Sequence, residues 1–251
     1  AAHPFANAKF FFFIFSLIPV QTLFAYNFGN MQAYVDRAYS APAVLDAAGI
    51  PVPATQPASA GAAEAEATRL KYQDLPQDIR DRLTAKQRLT IWTGEHFESA
   101  TNLNSLLIFI LVPIITALTI RKRVYAMMIV GTFVMAAPSF VLAMGTNYLT
   151  LGVFIVTMTV GEAIWQPRFL QYAAQIAPEG RTGAYMGVAQ LPWFLTKVIV
   201  PMYEGGFLQK YCPQHGAMDP QTMWLIFGCI AIASPILLIL AKPWIGKDMK
   251  I

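Results

Sequence analysis

From Leu149 to Trp165 the chain runs almost without interruption through apolar residues and small threonines, and near the end of that run it carries an acid: Gly161-Glu162-Ala163-Ile164-Trp165-Gln166-Pro167-Arg168. A stretch of this length and composition reads as a helix crossing a bilayer, since ~1.5 Å per residue brings it across most of a ~30 Å hydrocarbon core. Glu162 then lies ~20 Å from the end at which the helix enters. An ionisable side chain at that depth costs about 3 kcal/mol even on the lenient insertion scale, so it faces a bundle interior or a water-filled cavity. Two readings follow for it. It is a neutral carboxyl hydrogen-bonded inside the bundle, or it is a substrate or proton site; the second is the working expectation.

Composition agrees with a membrane setting. Only 13% of the 251 residues are charged and 56% are hydrophobic, where a soluble domain carries about 25% charged residues. The net charge of +4 follows the expected topology rather than one patch, and with no basic face outside the turns no nucleic-acid partner is expected. Cys212 falls in a polar loop and Cys229 in an apolar segment, so neither a bridge nor a metal spacing is expected. His3, His96 and His215 are scattered. With no metal-ligand pair, nucleophile–base pair or phosphate loop in any span, the chain is not expected to be an enzyme or to hold a cofactor.

Taken in order, the hydropathy predicts an all-α membrane protein of six transmembrane helices. The first domain, residues 1–30, holds a span from Ala8 to Tyr26, interrupted by Pro19 and bearing Gln21, Thr22, Tyr26 and Asn27. Gln21 and Thr22 either line a cavity or bond the backbone that Pro19 frees. Residues 31–98 form a long extracytoplasmic loop, with an Ala/Pro-rich linker from Ser40 to Ala67 and one short amphipathic helix. In that helix Leu75, Ile79 and Leu83 share a face, suited to a membrane surface or to capping the bundle. Residues 99–251 hold five further spans: Asn102–Ile120, Val124–Met144, Leu149–Ala177, Ala184–Phe207 and Thr222–Leu240. Arg121-Lys122-Arg123, Arg181, Lys242, Lys247 and Lys250 fall on one side, which the positive-inside rule makes cytoplasmic together with both termini. Pro19, Pro113, Pro138, Pro167, Pro192 and Pro201 are expected to break five of the six helices, as transporters do beside central sites. The chain opens Ala1-Ala2-His3-Pro4 and reads as one part of a longer sequence.

Further ionisable groups fall within spans. Arg168 either reaches the cytoplasmic interface or pairs at an inner gate, and Glu204 is placed near the outer surface. Lys197, mid-span, is expected on a neighbouring helix at a depth differing from that of Glu162 by ~10 Å. A bridge between Glu162 and Lys197 would couple a proton to a cargo.

Three places resemble the proton-coupled oligopeptide transporter (POT) family of the major facilitator superfamily. Gly161-Glu162 with Pro167, Ala177-Pro178 and Tyr185-Met186-Gly187 is similar to that family's tenth helix and the start of its eleventh. Leu103-Asn104-Ser105-Leu106-Leu107-Ile108 with Pro113 resembles its eighth, and Tyr34-Val35-Asp36-Arg37 the end of its seventh. Ser105 stands where the family usually has proline, Trp193-Phe194 lie later than its spacing, and Lys197 has no counterpart. The resemblance implies the C-terminal six-helix bundle of a major facilitator fold, in which Glu162 and Asn104 bind the amino end of a peptide. It implies alternating access against an N-terminal six-helix bundle supplied elsewhere in the same protein or by a separate chain. The function expected is half of a proton-coupled transporter for a small polar or zwitterionic solute. Glu162 would bind a cation or a proton, Lys197 and Arg168 would hold an anionic group or tune Glu162, and Trp165, Gln166, Gln21, Tyr26 and Asn104 would line the cavity. The alternative is a non-transporting membrane subunit that binds a protein partner.

Overall fold

The computed structural model describes residues 4–52, 70–214 and 216–245. Most of the expected linker, the tail lysines Lys247 and Lys250, and His3 and His215 lie outside them. Among the described residues there are thirteen α-helices and no strand. Four segments are long and apolar enough to cross a membrane: Ala8–Asn27, Val124–Ala143, Tyr148–Ile176 and Pro220–Ile245. These fit a multi-pass integral membrane protein. The sequence reading of six spans is met only in this coarser form. The second expected span has its apolar part at Asn104–Thr119, and the fifth carries Lys197 and Glu204.

Proline chemistry sets several of the helix boundaries. α1 (Ala8–Ser16) and α2 (Ile18–Gly29) part at Leu17, because Pro19 has no amide to donate one turn back. The loosened groups are each caught. Ser16 donates to the Phe13 carbonyl at 2.7 Å, Thr22 donates to the Pro19 carbonyl at 2.6 Å, and the Val20 amide donates to Ser234 Oγ at 2.9 Å. Thr22 therefore serves the backbone, the structural of its two expected roles. Later breaks separate α8 (Val124–Ala136) from α9 (Pro138–Ala143), and α11 (Thr182–Ala189) from α12 (Leu191–Tyr211). These coincide with Pro138 and Pro192. Pro113, Pro167 and Pro201, also expected to break helices, instead lie inside continuous ones: α7 (Phe97–Thr119), α10 (Tyr148–Ile176) and α12. A single missing amide inside a long helix is absorbed by local adjustment.

α10 is the hub. Its main neighbours are α8 on one side and α7 on the other, while α13 (Pro220–Ile245) packs against α2, α8 and α9, and α12 packs against α2. The α8–α10 contact is close because glycines make it so. A Cβ on Gly161 would stand 2.4 Å from the Met135 amide nitrogen, and one on Gly131 would stand 2.8 Å from the Trp165 amide nitrogen. Without a hydrophobic driving force between helices in lipid, such small-residue approaches are what hold them together. The pairs Gly131 with Trp165 and Met135 with Gly161 run in opposite senses, so α8 and α10 are antiparallel.

The loop after the first span is more ordered at its start than its composition predicts. α3 (Met31–Ala38) and α4 (Ala41–Ala47) follow directly, with Ser40 capping α4 by accepting from the Ala43 amide at 3.3 Å. The linker expected from Ser40 thus begins with a helix, since a Ser cap and Pro42 in the first turn outweigh low hydrophobicity. Beyond the undescribed stretch come α5 (Gln77–Arg82) and α6 (Ala85–Glu95), the latter opened by a capping box of Thr84 and Gln87. Leu75, Ile79 and Leu83 meet Ala41, Val44, Leu45 and Ile91 in a small second core. The amphipathic helix turns its apolar face into this core, and with α4 and α6 it makes a small cap beside the spans. This cap docks on the start of α10, where the Tyr148 amide donates to Thr90 Oγ1 at 3.3 Å and Tyr39 donates to the Asn147 carbonyl at 3.4 Å. Burial pushes the Tyr39 hydroxyl up to about 12, so it stays a neutral donor there.

Candidate functional site

Glu162 lies fourteen residues after the first residue of α10, ~21 Å along its axis. It is buried, with 2% of its surface exposed, and its Oε2 has no hydrogen-bond partner among the described residues. The helix registers of its two neighbours explain the position. Gly161 and Trp165 face α8, where the Trp165 indole donates to Met135 Sδ at 3.1 Å. Thr159, one turn earlier on the other side, donates to Asn104 Oδ1 of α7 and also to the Ile155 carbonyl at 2.6 Å.

Further along the same seam stands Arg168, also buried. Its guanidinium donates to Gln171 Oε1 at 2.6 Å, to Thr119 Oγ1 at 2.8 Å and to the Thr116 carbonyl at 3.4 Å. Asn104 pairs with Thr159, and Thr116 and Thr119 pair with Arg168, so the residue numbers rise together and α7 and α10 are parallel. Glu162 falls between these two polar rungs, ~4.5 Å along the axis from the first and ~9 Å from the second. All the partners named for Arg168 are neutral. Glu162, with no hydrogen-bond partner for Oε2 among the described residues, and Arg168, bonded to neutral groups, thus stand ~9 Å apart along the axis of α10, on different sides of it.

The other expected site residues scatter. Lys197 lies on the exposed face of α12, its Nζ 3.6 Å from the centre of the Trp193 ring. Because α12 packs on α2 and α13 rather than beside α7, the structure does not form the Glu162–Lys197 bridge that depth counting allowed. Instead the ammonium sits on an aromatic face four residues back in its own helix, a cation–π contact. Tyr26, expected on a cavity wall, lies in the aromatic core, 4.8 Å from Phe227 and 5.3 Å from Trp224 between ring centres, with its hydroxyl 3.8 Å from Met223 Sδ. Trp165, expected likewise, is packed on the α8 side. Gln166 is exposed, and Gln21 is buried with its Oε1 unpartnered. Of the eight expected residues, the structure therefore brings Asn104 and Arg168 onto the α7–α10 seam, with Glu162 at a level between them along α10.

Sequence reasoning missed Thr159, Thr116, Thr119 and Gln171, which orient the charged groups. A signal existed for them: Thr159 stands three residues before Glu162, Gln171 three after Arg168, and Thr116 and Thr119 are three apart, all spacings that share a helix face. No protein-family model, curated protein or solved structure matches this chain.

Proposed function

We propose that this chain is the C-terminal bundle of a secondary transporter that moves a small polar or zwitterionic solute, peptide-like in its charges, together with protons. The observation that carries the reading is Glu162: a shielded carboxyl deep in an apolar helix, its Oε2 without a hydrogen-bond partner among the described residues, at a level between an amide–hydroxyl pair and a buried arginine bonded to neutral groups. A group held this way binds a proton when the site is empty and exchanges it for the ammonium of a cargo, while Arg168 supplies a positive end for a carboxylate. Buried ionisable groups in membrane helices mark such pathways.

In this reading the chain is half of a major facilitator fold with six membrane segments, α7 and α12 completing the four apolar ones. Its basic turn Arg121-Lys122-Arg123 and both termini lie in the cytoplasm, and the cap lies outside. Exposed apolar residues support a companion bundle. Phe109 on α7 and Met202 on α12 are each 80% exposed, and Leu118 is 74% exposed. These helices stand at the edges of the bundle, where an N-terminal six-helix unit would cover them.

A second reading, a non-transporting subunit that binds another protein, is favoured by one observation. The cap is an ordered unit that presents Leu89 and Trp92, 44% and 56% exposed.

The test is uptake of a labelled dipeptide into proteoliposomes holding the complete assembly, with and without an inward proton gradient, for wild type and Glu162→Gln. Gradient-driven uptake that Glu162→Gln abolishes supports peptide symport. A folded protein with no uptake, or with uptake indifferent to the gradient, removes it and favours the subunit reading.

A further inference from the structure

The bundle holds a second shielded acid that this function does not use. Glu204 on α12 is 4% exposed, and its Oε2 has no hydrogen-bond partner among the described residues. It occupies space that a missing side chain leaves open. A Cβ on Gly29, the last residue of α2, would stand 2.9 Å from Glu204 Oε1. Tyr26 of α2 and Tyr203 of α12 lie within electrostatic reach of the carboxyl, and both are neutral at ordinary pH.

Every cation that could compensate it among the described residues is engaged elsewhere or distant. Arg37 of α3 donates to the Cys212 carbonyl at 2.8 Å, Lys210 lies 5.0 Å from the centre of the Tyr211 ring, and Lys197 is on Trp193. The charged residue of α13 is Lys242, near its far end, and its thiol, Cys229, is exposed. α11 adds Tyr185, nineteen residues earlier in the chain. A metal ion does not fit either. Calcium takes six to eight oxygens and magnesium an octahedron, while the described residues form no cluster of three acids, histidines or cysteines.

We infer that Glu204 is a second proton-binding site, in the seam between α2 and α12, separate from Glu162. Glu204 lies seven residues before Tyr211, the end of that helix, ~10 Å along its axis. The inference shares with the proposed function only the membrane setting. It does not depend on the cargo.

Infrared spectra of the whole protein in liposomes, recorded from acid to alkaline pH, test it. Glu204→Gln, close to isosteric, is expected to remove one component of the protonated-carboxyl carbonyl band. That component persists in Glu162→Gln and fades in wild type as pH rises, the acid-to-carboxylate ratio falling about tenfold per pH unit. Gly29→Ala, whose methyl meets the flexible end of the carboxyl, is expected to shift that component without deleting it. The inference is overturned if Glu204→Gln takes its intensity from the ionised-carboxylate bands at neutral pH, or if the protonated region matches wild type at every pH. Because the readout is a bond vibration, absence of peptide uptake leaves the inference standing. A protonated Glu204 likewise says nothing in favour of peptide as cargo.

Discussion

The two faces of α10 are built on opposite principles. Toward α8 the helix is bare: Gly161 and Gly131 let backbones approach until no methyl fits between them. Toward α7 it is polar, joined through Thr159 to Asn104 and through Arg168 to Thr116 and Thr119. A contact made by excluding atoms has one good distance and resists sliding. A contact made of a few hydrogen bonds can be remade with other partners at modest cost, each bond being worth about 1 kcal/mol net. Glu162, one residue after Gly161 and three after Thr159, stands at the border between the side that can exchange partners and the side that cannot.

The largest expected effect comes from attacking the bare face. Gly161→Ala forces the backbones of α8 and α10 apart and is expected to cost about 2–3 kcal/mol, seen as a clear drop in thermal stability in detergent. Ala163→Gly on the same helix is expected to cost only about 1 kcal/mol, a propensity loss. On the polar face, Arg168→Leu strips the donors from Thr119 and Gln171 and is expected to cost about 1–3 kcal/mol. Arg168→Lys recovers only part of this, because an ammonium cannot span three acceptors in one plane; paired unfolding curves would show the ranking. Thr159→Val leaves Asn104 Oδ1 unanswered, for about 1–2 kcal/mol. If Thr159→Val proved as damaging as Gly161→Ala, the division between a braced and an exchangeable face would be wrong.

Smaller effects concern the edges. Ser40→Ala removes the cap of α4 and is expected to loosen the second core by about 1 kcal/mol, read as faster amide exchange across residues 41–47 with the spans unchanged. Asp219 is held below the usual carboxylate range by the Thr222 side chain and by the Thr222 amide, which donates to it at 3.1 Å. A depressed acid contributes stability above its unfolded value, near pH 4, and loses it as pH falls further. Asp219→Asn is therefore expected to matter slightly at pH 7 and not at all near pH 2, as amide exchange at the start of α13 would report.

What the sequence made legible was depth. An apolar run of known rise puts Glu162 mid-helix without any partner being known, and proline spacing foretold the breaks at Leu17, Ala137 and Gln190. Azimuth was much less legible. Whether Lys197 turns toward Glu162 or onto Trp193 depends on which helices α12 packs against, and that is set by contacts between residues far apart in the chain. Tyr26 and Trp165 failed as cavity residues for the same reason: an amphipathic aromatic fits a cavity wall and a packed core equally well until its neighbours are known. The helix at 41–47 was hidden by composition, because alanine and proline describe a linker and a capped helix alike.

α3 stays in the main core through Tyr34, Val35 and Tyr39, and the chain beyond it comes back to α7 near where it left, since Gln32 Nε2 reaches Glu98 Oε1 at 3.5 Å. Closing a longer loop between fixed ends adds only about 0.6 kcal/mol per doubling of its length. The length of chain between α4 and α6 can therefore change at little cost in closure, provided the contacts of Tyr39 and Thr90 with the start of α10 are kept.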